Sequence, residues 1–155
     1  MELSDLARTL PYGDCLRDDI ATAGQLSAAQ LAAAAQAGVR TILDLRPPFE
    51  PRGYDEAAAV KAAGMAYVIV PVTPVTLDDA AFAKVLEVVR DPARRPVLVH
   101  CATANRVGGL LIPYLMIDEK MSQQDAVRRA QEIGLRSADY ARMAIDYARR
   151  HGAEG

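Results

Sequence analysis

VLVHCATANRVGG, running from Val97 to Gly109, sets the architecture of the chain. Val97 to His100 reads as a short buried strand, because the run lacks the polar alternation of a half-solvated one. After Arg106 the apolar run VGGLLIPYLMI reads as a buried helix with a kink at Pro113. Between them, Cys101, Ala102, Thr103, Ala104, Asn105 and Arg106 form a loop joining a strand end to a helix start. Backbone N–H groups at such a junction have no helical partners and can converge on an anion as a nest. The same partial positive charge favours the thiolate of a cysteine placed there. Arg106 brings a planar guanidinium that can grip an oxyanion through two N–H groups. Taken singly, a cysteine after a strand is usually a small buried hydrophobe, and an arginine at a helix start a surface residue. Strand, His, Cys, loop, Arg and helix in this order instead point to Cys101 as nucleophile and Arg106 as its anion partner.

Outward from this loop, helix, glycine stop and strand recur. Ser27 with Gln30 forms a capping box before an Ala/Leu-rich helix that stops at Gly38, and Val39 to Leu45 follows as a strand. RPPFEPRGY is too rich in proline for regular structure. Asp55 to Ala63 reads as a helix stopped at Gly64, and Met65 to Val70 as the next strand. Val70 to Thr76 forms a second proline-punctuated loop, and Thr76 and Asp79 can cap a helix running to about Arg90. DPARRP then turns the chain into Val97. Ser122 and Asp125 begin a helix ending at Gly134, and Ser137 begins a last amphipathic one, with Tyr140, Met143, Ile145 and Tyr147 as packing residues. The first residues, through Ile20, add an edge strand.

Unbroken apolar strands alternating with helices predict an α/β fold with a mainly parallel central sheet covered by helices on both faces. Ligands of such sheets bind beyond the carboxyl ends of the strands, here Arg46 and its loop, Pro71 to Thr76, and His100 to Arg106. The 155 residues suit a single domain spanning 1–155. Half of them are hydrophobic and a quarter charged, the composition of a folded protein. A net charge of −2 gives no sign of a nucleic-acid partner or an acidic membrane surface. The late arginines alternate with acids at helical spacing and read as a solvated face. Two distant cysteines, Cys15 and Cys101, make no disulfide framework and fit a reducing compartment. MELSDLARTL lacks the form of a signal peptide, and no apolar run reaches transmembrane length, so the expected location is the cytoplasm. His100 and His151 are far apart, and no spacing resembles a zinc motif. Neither a metal nor a cofactor is expected.

HCATANRVG resembles the active loop of the cysteine-dependent phosphatase superfamily. It is closest to the small bacterial branch called beta-lactamase-hydrolase-like or tyrosine-phosphatase-like proteins. The similarity extends to ATAGQLSAAQLAAAAQAGVRTILDLRPPFE, to AAGMAYVIVPV and to the helical tail, covering roughly Arg17 to Leu135. It implies a three-layer sandwich of the cysteine-phosphatase type and a small anionic or phosphorylated substrate. It also implies that Cys101 is the nucleophile and that the backbone from Ala102 to Arg106 cradles the anion. Arg106 would bind that anion and stabilise the transition state. His100 would either set the nucleophile's charge and position or simply be a satisfied strand-end residue. Arg46 and Glu50 match the group's Leu-Arg…Glu pattern and would stand on the active-site rim, or tie down the loop through a salt bridge.

Several features depart from the tyrosine-phosphatase pattern. Four residues, not five, separate Cys101 from Arg106, a spacing shared by this bacterial branch and by rhodanese-type sulfurtransferases. Ala104 stands where the group has glycine, which costs energy if the position requires φ > 0. Val107 lacks the hydroxyl that helps the thiolate leave. Thr73 and Pro74 stand where a general acid is expected, while Asp78 and Asp79 read as first-turn helix residues. Three readings therefore stay open: a phosphatase-like hydrolase, a sulfurtransferase or persulfide carrier on the same scaffold, and a non-catalytic anion-binding domain. Oligomeric state is open as well. Cys15 becomes a partner thiol for Cys101 only if the N-terminal strand returns to the site.

Overall fold

Four strands of the sheet end on one row. In the computed structural model, which describes residues 1–153, Ala23, His100, Asp44 and Ile69 are successive register partners across β2 (Ile20–Ala23), β5 (Val97–His100), β3 (Thr41–Asp44) and β4 (Ala66–Ile69). These four are parallel, and β1 (Asp14–Arg17) adds an antiparallel edge, giving the order β1-β2-β5-β3-β4. Residues 154 and 155 of the expected domain lie outside the described residues.

Side chains along each strand alternate between two cores, as the two-residue period of a strand requires. Ile20, Leu43, Val97 and Val99 face one core. α4 (Asp79–Arg90), α5 (Asn105–Pro113), α6 (Gln123–Ile133) and α7 (Ala138–Arg150) cover that face. Ala21, Ala23, Ile42 and Leu98 face the other, under α1 (Leu3–Ala7), α2 (Ala28–Gln36) and α3 (Glu56–Ala62). The expected three-layer α/β sandwich is the observed one.

Ser27, Ser122 and Ser137 cap their helices as the sequence predicts, and Ser27 completes its box with Gln30. The helix after the second proline loop is capped by Asp78, not Thr76, because the Thr76 hydroxyl is bonded to Thr73. The first twenty residues hold more than an edge strand. They form α1 and β1, and IATA becomes an interior strand whose small residues carry little strand signal. After Pro113, which has no N–H to give, the chain passes into a π-helical turn over Tyr114–Asp118. Among the described residues no helix is long and apolar enough to cross a membrane.

Candidate active site

β5 delivers Cys101 to the mouth of the row of strand ends, where it is buried, 1% exposed, and its N–H reaches the Ala23 carbonyl at 3.4 Å. Ala104 then takes a left-handed conformation, φ 65° and ψ 5°, and becomes the N-cap of α5. This is the αL position at which the Ala-for-Gly departure matters. Its methyl is fully buried against Gly134, where an added Cβ would come within 2.8 Å of it. The chain therefore tolerates alanine in the cradle by keeping glycine in the facing turn. The backbone N–H groups of Ala102, Thr103, Ala104, Asn105 and Arg106 have no acceptor among the described residues. Five unpartnered donors in one turn form a nest of the kind that can bind an anion.

The side chains of the loop mostly face away from that nest. Asn105 Oδ1 accepts from the Arg136 N–H at 2.7 Å and the Ser137 N–H at 3.2 Å, fastening the turn between α6 and α7. Thr103 takes Arg136 Nη2 on both its hydroxyl, at 2.6 Å, and its carbonyl, at 3.3 Å. The Ala102 carbonyl accepts from Gln25, and Gly24 is needed beside it because a Cβ there would lie 2.7 Å from that oxygen.

Arg106 bridges three loops. Its Nη1 and Nη2 each donate to a Glu50 carboxylate oxygen at 2.8 Å, and Nη1 also reaches the Val72 carbonyl at 3.3 Å. The hydrogen bond from Arg106 holds the Glu50 carboxyl below its ordinary value, and Glu50 in return raises the guanidinium, which also interacts with Cys101. Glu50 is thus the rim residue, and Phe49 beside it is the exposed tip of the loop. Arg52 holds the loop's shape by donating to the carbonyls of Arg46, Pro47, Pro48 and Glu50.

Of the two expectations for Arg46, a place on the rim or a salt bridge that ties down the loop, the second is the observed one. Arg46 is fully buried under the loop and does not stand on the rim. It pairs with Asp44 through Nε at 3.0 Å and Nη2 at 3.1 Å, and with Glu56 through Nη2 at 2.8 Å. His100 is equally buried. Its Nε2 lies 2.7 Å from Glu56 Oε2 and its Nδ1 3.4 Å from the Cys101 carbonyl, so it steadies the Cys101 backbone and is not placed to contact a ligand. Burial alone would raise the Asp44 carboxyl; hydrogen bonds from Arg46 and Tyr67 and the His100 charge reverse this and hold it well below the usual range. Asp44, Glu56 and His100 offer ligand atoms within 4.8 Å of one another. Arg46, Arg52 and Tyr67 already donate to those carboxylates, so a cation there would have to displace arginines.

Asp44 and Glu56 went unremarked in the sequence. A strand-end aspartate and an acid in the first turn of a helix both have ordinary local explanations, and their partnership spans elements far apart in the chain. The Pro71–Thr76 loop supplies no carboxylate. Asp78 caps α4, and Asp79 binds Arg150. Cys15 sits on the edge strand with its thiol on the Arg17 carbonyl at 2.8 Å.

A family model described as beta-lactamase hydrolase-like protein, phosphatase-like domain, matches residues 14–111. The chain belongs to this family. The match takes in the strand row, the Glu50 loop and the whole Cys101–Arg106 cradle. A beta-lactamase hydrolase-like protein from Xylella fastidiosa (strain Temecula1 / ATCC 700964) is 30% identical over 117 residues, 71% of this chain and 26% of the relative. The chain therefore spans about a quarter of the length of the curated relatives it matches. A DUF442 protein of known structure from Shewanella putrefaciens CN-32 superposes with a TM-score of 0.80 at 18% identity, covering 96% of this chain and 98% of that one. The core catalytic domain of the PP-IP phosphatase SIW14 from S. cerevisiae superposes at 0.76 with 19% identity, covering 89% and 86%. This phosphatase-like domain thus has the cysteine-phosphatase fold.

Proposed function

We propose that the chain is a cysteine-dependent phosphoric monoester hydrolase acting on a small anionic, phosphorylated substrate. The observation that carries this reading is the row of five unpartnered N–H groups from Ala102 to Arg106, closed by the Arg106 guanidinium beside Cys101. Three equatorial phosphoryl oxygens need many fixed donors at once, and a preorganised nest supplies them without reorganisation. In the proposed sequence the Cys101 thiolate attacks phosphorus, the ester P–O bond breaks with its electron pair going to the leaving oxygen, and water then cleaves the thiophosphate. Arg106 holds the transferred group throughout, and Glu50 keeps the guanidinium aligned. His100, fixed by Glu56, holds the strand end that presents Cys101.

A second reading, sulfur transfer through a Cys101 persulfide, draws on the four-residue spacing and on the absence of a carboxylate from the Pro71–Thr76 loop. Persulfide transfer needs no acid for an alkoxide leaving group. One paired assay separates the two readings. Phosphate release from an aryl phosphate, and thiocyanate formation from thiosulfate and cyanide, are measured for the wild type and Cys101→Ser. We expect phosphate release that Cys101→Ser abolishes. Phosphate release surviving in Cys101→Ser sinks the proposal, and thiocyanate formation without phosphate release transfers the site to the second reading.

A further inference from the structure

Four successive carbonyls of the cradle face groups outside the loop. In a trans peptide the C=O and N–H of one unit point in opposite directions. A donor that holds a carbonyl from outside therefore turns the N–H of the next residue inward. The Ala102 carbonyl accepts from the Gln25 N–H at 2.9 Å, and the Ala104 carbonyl from the Gly108 N–H at 3.0 Å. The Cys101 carbonyl faces His100 Nδ1 at 3.4 Å. Between them, the Thr103 carbonyl accepts from Arg136 Nη2 at 3.3 Å, and the Thr103 hydroxyl takes the same nitrogen at 2.6 Å. Only this last fastening is made by an exposed side chain. Arg136 also stands apart from its neighbours in the helical tail. Arg128, Arg129, Arg142 and Arg150 pair with aspartates, whereas Arg136 meets no carboxylate among the described residues. Its Cζ instead lies 5.7 Å from the centroid of the Tyr12 ring, in reach of a cation–π contact. Tyr12 is held at φ 54°, which is costly for a residue with a side chain. Its ring rests against Gly24, where an added Cβ would come within 2.9 Å of Tyr12 Cδ2 and 2.7 Å of the Ala102 carbonyl. An exposed aromatic ring in a strained turn is thus set between the cradle and Arg136. Strain of this kind persists where the surroundings fix it, and it clusters at working sites.

We propose that Arg136 is a positioning residue of the cradle, turning the Ala104 N–H toward the bound oxyanion, and that Tyr12 is the platform that fixes its guanidinium. The assignment rests on the phosphatase reading above and deepens it. Arg136 acts through the Thr103–Ala104 peptide and touches no reacting atom. Ala104 is the residue that enters the left-handed turn, at φ 65°. Rotating the preceding peptide by half a turn would bring Ala104 to negative φ, which relieves its strain and carries its N–H out of the nest. A glycine at this position has little strain to relieve, so the alanine makes the pin necessary. Arg136 opposes the flip by holding the Thr103 carbonyl and hydroxyl together. Its charge-assisted hydrogen bond also polarises the peptide, which makes the Ala104 N–H a stronger donor to an anion. The side chain is itself preorganised, because its own N–H is bonded to Asn105 Oδ1 at 2.7 Å and its face lies on Tyr12.

The test measures inorganic phosphate binding, by calorimetry and by amide NMR, together with kcat/KM on 4-nitrophenyl phosphate. It compares wild type with Arg136→Ala, Arg128→Ala, Tyr12→Gly and the double variant Arg136→Ala/Ala104→Gly. Arg136→Ala keeps the backbone bond to Asn105, so its melting curve should match the wild type. Losing one oxyanion donor outright costs about 100-fold or more, and a partly populated flip costs less. We expect Arg136→Ala to lose about tenfold in phosphate affinity and in kcat/KM. The amide protons of Ala102 and Arg106 should still respond to phosphate in that variant, while the response of Ala104 shrinks. The double variant should recover part of the loss, because glycine takes up positive φ freely. Arg128→Ala removes an equal charge that pairs with Asp125, and it should stay within about twofold of wild type. Tyr12→Gly should lose affinity in the same direction as Arg136→Ala, and wild-type affinity there overturns the platform role. An Arg136→Ala protein within about twofold of wild type, an equal loss in Arg128→Ala, an unchanged Ala104 amide response or no recovery in the double variant overturns the assignment. Each of these leaves the Cys101 chemistry standing. A wild type that neither binds phosphate nor cleaves the ester removes the phosphatase reading, and this assignment with it.

Discussion

Ala104→Gly tests whether the alanine in the cradle is a lesion or an accommodated feature. At φ 65° and ψ 5° an L side chain costs roughly 1–2 kcal/mol, and glycine removes that cost. Against this, the substitution deletes a fully buried methyl, worth about 0.8 kcal/mol. It also frees the unfolded chain by about 0.4–1 kcal/mol. The two sides cancel to within about 1 kcal/mol, so the urea midpoint should hardly move. The nest should hold its shape too, because the left-handed turn that glycine favours is already made. Affinity for inorganic phosphate, by calorimetry, and kcat/KM on an aryl phosphate should stay within about threefold of wild type, less than about 0.7 kcal/mol. A tenfold rise in kcat/KM would show that the methyl deforms the cradle. A stability loss beyond about 2 kcal/mol would show that its packing outweighs its strain. The facing position supplies the control. Gly134→Ala sets a Cβ 2.8 Å from the Ala104 methyl at φ 148°, an overpacking worth about 1–3 kcal/mol. Part of that cost should return in the Ala104→Gly/Gly134→Ala double variant, measured as a coupling of about 0.5 kcal/mol or more.

Two further outcomes follow from the ionic network and the rim. Glu56→Ala leaves Arg46 buried with one carboxylate fewer, which should cost about 3–5 kcal/mol and lower the melting midpoint by roughly 6–20 °C for a chain of this size; a drop of a degree or two by circular dichroism would show that the network carries no such weight. The Glu50 carboxyl is held down by Arg106 in the folded protein, so the unfolded chain takes up its proton first as the pH falls. The stability Glu50 contributes is thus whole above the ordinary carboxylate range and drains away below it. Glu50→Gln should be less stable than wild type at pH 7 by urea denaturation, yet lose less between about pH 5 and about pH 3. An acid sensitivity equal to that of the wild type contradicts this account of the pair.

Local chemistry in the sequence was enough for the α/β order, the serine caps at Ser27, Ser122 and Ser137, and the strand-to-helix junction at Cys101–Arg106. Each depends on residues within a few positions of one another, where periodicity, capping and backbone sterics act. Tertiary structure decided the rest. IATA is a strand only because β1 and β5 lie on either side of it, since alanine has little strand preference of its own. Arg46 and Glu50 share one loop and one motif, yet Arg46 is drawn down to Asp44 and Glu56 while Glu50 takes Arg106. Burial energetics make that choice, because an arginine can be buried only where carboxylates from other elements compensate its charge.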